Sequence, residues 1–205
     1  MIKDLGGRVA TVWETLRPVT KEMLVGEMRS EPASVKTSRP HYDAHADWEL
    51  SSLLSALDEL SASNAVKNDA SKMSEMSQLA AVCVRMLETQ SASAEIFIQL
   101  ATRAVRNNDF AQLDQLSDRL AERYSASEIA EVIRQTTSPQ IRAIAHETLS
   151  MLPVSALEPL LSDSLYGDIA IGAMSQKAYE FDSEEALAAL DRMRFDPFDH
   201  EGADN

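Results

Sequence analysis

The chain has 205 residues, 44% of them hydrophobic and 5% aromatic, enough for a core drawn mainly from Leu, Ala, Ile, Val and Met. Six glycines and seven prolines are too few for the turns of a sandwich or barrel or the Gly-rich crossovers of a doubly wound sheet, so composition excludes those classes and favours helix. A net charge of −14 opposes attraction to a phosphate backbone or an anionic lipid surface.

That charge is uneven. Residues 1–40 hold seven Lys/Arg and five acids, a net of +2, which leaves −16 on the rest. The lone Cys83 excludes an internal disulfide and lies in the apolar run Ala80 to Val84, where a buried, inert thiol is expected. The opening residues lack a signal-peptide core and cleavage site, and no run approaches ~18 apolar residues. A cytoplasmic location is the expectation.

Residues 1–28 carry Ile2, Leu5, Val9, Val12, Trp13 and Leu16 at helical spacing, an amphipathic stripe weakened by Gly6 and Gly7 and stopped or kinked at Pro18. A short piece with Met23, Leu24 and Met28 follows. Ser30 to Ala46, with Pro32 and Pro40, reads as a linker. Asp47 opens the helical body, whose first stripe is Trp48, Leu50, Leu53, Leu54, Leu57 and Leu60. A helix from about Asp69 to Glu88 carries Met73, Met76, Leu79, Cys83, Met86 and Leu87, with the methionines read as core filling rather than an adaptable binding stripe. The next begins near Ser93 and ends at Asn107-Asn108-Asp109, which caps a helix carrying Phe110, Leu113, Leu116 and Leu120.

From here the pattern repeats. Ser125 to Ile129 echoes Ser91 to Ile96, with further starts at Val154 to Glu158 and Asp182 to Leu187. Ser138-Pro139-Gln140-Ile141-Arg142-Ala143-Ile144-Ala145-His146-Glu147-Thr148-Leu149 resembles the second helix of a HEAT-like or armadillo-like repeat, and the resemblance extends over residues 90–193 and more loosely over 47–90. The position of Arg142 is Asp114 in the preceding unit and Ala170 in the following one. The resemblance implies an all-α fold, a short α-solenoid of stacked helical hairpins; an irregular helical bundle is the alternative, having the same periodicity without regular repeats. The expected organisation is an N-terminal amphipathic helix and linker over 1–46, a helical-repeat domain over 47–194, and an acidic tail over 195–205. Leu113, Leu116, Ile129, Ile133, Ile141, Ile144, Leu149, Leu157, Leu160, Ile169 and Leu187 are the expected core of the repeats.

Chemistry-bearing residues are sparse. His41 and His45 stand four apart, as paired metal ligands on a helix do, but lack an intervening Glu and follow Pro40; a hydrophilic connector is the simpler account. His146 has no nucleophile motif beside it. Glu184-Glu185 and Asp196, Asp199 and Glu201 suit a solvated surface and tail. No Gly-rich phosphate loop, CxxC pair or HExxH motif is present. The expectation is therefore a non-catalytic protein-binding scaffold or adaptor, not an enzyme, with no metal or cofactor and no nucleic-acid partner. Its binding residues are expected among Gln112, Gln115, Arg119, Arg142 and His146 of the second helices, and Trp13 of the N-terminal helix. The alternatives are a HEAT-like enzyme or nucleic-acid-processing protein, and a peripheral membrane module anchored by residues 1–28.

Overall fold

Every regular element among the described residues is a helix, and none of them forms a strand. The computed structural model describes residues 6–28, 42–63 and 69–194. The chain is all-α and divides into two compact units, residues 1–91 and 92–205.

The first unit contains α1 (Gly7–Thr15), α2 (Pro18–Met28), α3 (Ala44–Ala62) and α4 (Ala70–Gln90). Gly6 and Gly7 lie at the start of α1 rather than inside a longer helix. Gly6 has φ +126° and its missing Cβ would face the Leu60 side chain, so glycine suits this position. Pro18 occupies the first position of α2 and disfavours helical backbone at Arg17, which separates the two short helices. α1 packs on α3, α2 on α3 and α4, and α3 on α4. Val9, Leu16 and Leu24 are buried with Leu50, Leu53, Leu57, Leu79, Cys83 and Leu87. Met76 and Met86 are buried and Met73 half-buried. Ile2 and Leu5 lie outside the described residues.

Two boundaries differ from the sequence reading. α3 begins at Ala44, inside the expected linker, because Asp43 rather than Asp47 caps it: the Asp43 carboxylate accepts the Ala46 N–H at 2.9 Å. The division between compact units falls after Ser91, not after residue 46, because α1 and α2 bury their apolar residues against α3 and α4. Residues 29–41, the bulk of that linker, lie outside the described residues, as does the tail from residue 195.

The second unit runs α5 (Ala94–Asn107), α6 (Phe110–Arg123), α7 (Ala126–Gln135), α8 (Pro139–Met151), a four-residue α9 (Val154–Leu157) continued by a 3-10 turn over Glu158–Leu160, α10 (Gly167–Glu180) and α11 (Glu184–Arg194). Its starts are written locally. Asp109, Ser125 and Ser138 each accept a backbone N–H three residues on, from Gln112, Glu128 and Ile141. Asn108 ends α5 in the left-handed conformation that Asn tolerates. The start of α5 is served from outside: the Glu128 carboxylate of α7 accepts the Ala94 N–H at 2.9 Å.

α5 packs on α6 and α7 on α8; α5 also meets α7, and α6 meets α8. α8 then meets α10, which packs on α11. Small residues allow these approaches, as at Ala130 and Ala170, which share a cluster with Leu160. At Gly167 a Cβ would stand 3.1 Å from the Leu161 carbonyl oxygen, a tight approach that favours glycine at the entry to α10. Of the expected core, Leu113, Leu116, Ile129, Ile133, Ile141, Leu149, Leu157 and Leu160 are buried. Ile144 and Ile169 are only half-buried, and Leu187 is 40% exposed. In α11 the inward stripe is Ala186, Ala189 and Leu190, which puts Leu187 about 100° off it.

Candidate functional site

The second helices α6 and α8 carry most of the candidate binding residues. Gln112, Gln115 and Arg119 follow helical spacing, each one position before the buried Leu113, Leu116 and Leu120. Arg142 and His146 each follow a buried residue of α8, Ile141 and Ala145. The residues therefore form polar stripes flanking the buried stripes of two helices in contact. Gln115 and Arg142 are exposed, and Gln112, Arg119 and His146 half-buried.

Arg142 is tethered: its guanidinium donates to the Thr136 carbonyl at 2.6 Å, across the α7–α8 turn. Burial lowers the His146 pKa below the ordinary value, and the Arg142 charge one turn away lowers it further, so this imidazole is neutral near pH 7. A neutral His can donate and accept, while Arg142 supplies fixed positive charge. Trp13 belongs to the other compact unit. It sits half-buried on α1 in the first unit, with the Lys21 ammonium 6.0 Å from its ring centroid.

The histidine pair falls only in part within the described residues. His45 is exposed on α3, its ring edge-on to Trp48 with centroids 5.8 Å apart, and His41 lies outside the described residues. Among the described residues no group of three or more His, Cys, Asp or Glu is placed to hold a metal ion. Glu184 and Glu185 lie exposed in the first turn of α11; Asp196, Asp199 and Glu201 are outside the described residues.

Two polar networks have no counterpart in the sequence reading. In the first unit Glu49 is 1% exposed, and its carboxylate accepts the Arg17 backbone N–H at 2.6 Å, the Arg17 Nε at 3.0 Å and the Thr20 hydroxyl. Burial pushes the Glu49 pKa up, but hydrogen bonds from Thr20 and Arg17 outweigh it and hold the group ionised. The signal was available: Glu49 falls on the apolar stripe of α3, three residues after Ala46 and four before Leu53. In the second unit Glu131 accepts from Arg134, Gln135 and the Tyr166 hydroxyl, the last at 3.0 Å. Arg134 is the main cause that draws Glu131 down to about 2. Both networks tie separate segments of the chain together. A shallow, open hollow is lined by Lys21, Glu22, Val25 and Gly26 of α2.

No described helix is long and apolar enough to cross a membrane. Comparison of the chain with family models, curated proteins and solved structures returned no match.

Proposed function

We propose that this chain is a non-catalytic protein-binding module whose second unit is a short helical-repeat scaffold of the HEAT-like or armadillo-like kind. The observation that carries the reading is the order of packing: α5 lies beside α7 and α6 beside α8, so that the two helices of this hairpin meet their counterparts in the next, and α8 in turn meets α10. Stacking of this kind buries apolar stripes that a single hairpin would expose, and leaves one ladder of helices to meet a partner. Gln112, Gln115, Arg119, Arg142 and His146 lie on that ladder and offer amide, imidazole and guanidinium donors on a rigid frame. A cytoplasmic setting, where a lone buried thiol stays reduced, accords with the single Cys83.

A photo-crosslinking residue at Gln115 in the full chain, illuminated in extract from the native cell, tests the proposal. The expected result is a discrete protein adduct that disappears when Arg119→Glu and Arg142→Glu are added. Adducts unaffected by those changes would overturn the assignment of this surface.

A further inference from the structure

At one end of the second unit, three helix termini converge. The Lys177 ammonium of α10 donates to the Ser150 carbonyl of α8 at 3.1 Å, which brings the C-terminal turns of these two helices together. The Lys177 carbonyl in turn accepts the Ser183 N–H at 3.1 Å, folding the start of α11 back to the same place. Asp182 makes this turn with φ +52°.

Large apolar side chains surround this junction yet face solvent. Met151, the residue after Ser150, is 68% exposed, Phe181 50% and Leu187 40%. Phe181 lies one helical turn beyond Lys177, and Leu187 one turn beyond Ser183. A single exposed apolar residue needs no explanation, but three at one junction of three helices mark an interaction surface.

The surroundings are acidic. Glu147, one turn before Met151, and Glu180, Asp182, Glu184 and Glu185 around the α10–α11 turn are all exposed. The C-termini of α8 and α10 add the partial negative charge of their last carbonyls. Lys177 is the cation here, and its ammonium is already directed at Ser150. An apolar centre with a negative rim selects a partner of the opposite pattern.

From this geometry we infer that the α8–α10–α11 junction is a docking site for a basic amphipathic segment of another protein, one presenting aliphatic or aromatic anchors between Lys and Arg residues. Anchors pack on Met151, Phe181 and Leu187, and the flanking cations meet Glu147, Glu184 and Glu185. The net charge of −14 argues against a second copy of this chain as the occupant. The site is separate from the α6–α8 stripes and stands or falls independently of them.

The test uses the full chain and two synthetic amphipathic peptides with one shared Leu/Phe stripe, the other positions being Lys/Arg in one and Glu in its counterpart. Fluorescence anisotropy should show saturable binding of the basic peptide and none of the acidic one. Met151→Ser with Phe181→Ser should weaken it by about tenfold or more, as loss of interface anchors does. Glu184→Lys with Glu185→Lys should weaken it similarly. Phe110→Ser, which removes an exposed aromatic at the start of α6, should leave it unchanged. All these positions are exposed, and a melting curve of each variant checks that the fold is kept. Equal binding of both peptides, or binding unaffected by the Met151 and Phe181 changes, would overturn the proposal. So would a dimer of the chain in sedimentation velocity that those changes dissolve.

Discussion

Arg17 grips Asp43 through two parallel hydrogen bonds, Nη1 to Oδ2 at 2.9 Å and Nη2 to Oδ1 at 2.7 Å, while its Nε reaches the buried Glu49. One residue at the break between α1 and α2 thus engages both the N-cap of α3 and the carboxylate on its buried face. The fork of a guanidinium is suited to this, since it offers several donors in fixed directions. By contrast the Arg8–Glu59 pair, with both side chains more than half exposed, contributes little.

The Arg17–Glu49 contact should contribute to the stability of the first unit. Glu49→Gln should lower unfolding free energy by about 2 kcal/mol, the scale of a charge-assisted hydrogen bond lost from a buried site. Arg17→Met should cost more, because it leaves a buried carboxylate without its cation. The double substitution should cost less than the sum, since the two residues act through one contact. Urea denaturation of the four proteins measures the coupling, and simple additivity would show the contact to be energetically idle.

Acid should weaken the protein over a defined window. The Glu131 pKa is lowered in the folded protein from its ordinary 4.5 to about 2, first by Arg134 and then by Gln135 and Tyr166. A depressed carboxyl pKa contributes stability that is present above the unfolded value and disappears as pH falls through the folded one. The contribution of Glu131 should therefore be whole at pH 7 and fade from about pH 4.5 toward 2. Glu49 and Asp43 act in the same direction. In urea midpoints measured along a pH series, Glu131→Gln should trail the parent protein at pH 7 and approach it in acid. A gap that stays constant would mean the network does not titrate with folding.

The two isoleucines of α8 should behave differently. Ile141 is fully buried, and Ile141→Ala should cost about 2–5 kcal/mol through lost burial and the cavity left behind. Ile144 is half-buried, and Ile144→Ala should cost about 1 kcal/mol, nearer the centre of the range for point changes. Thermal melts of the two variants give the order directly. The reverse order would mean that α8 is rotated from the position described.

Much of this architecture is local, and local features are legible in a sequence. Helix starts at Asp69, Asp109, Ser125 and Ser138 are written in side chains that cap their own backbone a few residues on. The break at Pro18 follows from ring geometry, and the buried stripes of α4, α6 and α7 from helical periodicity. The candidate stripes on α6 and α8 were readable for the same reason. Tertiary structure decided the rest, because packing depends on which distant residues meet. Nothing near Glu49 names Arg17, 32 residues away, as its partner. That the helix starting at Val154 is only four residues long and runs into a 3-10 turn through Pro159 was not evident from its start signal. Periodicity identifies the apolar residues of α10 and α11, but only the neighbours of each helix determine which of them are covered. Ala186 and Leu190 lie inward while Phe181 and Leu187 remain on the surface, because the burial of a side chain is a property of what packs against it.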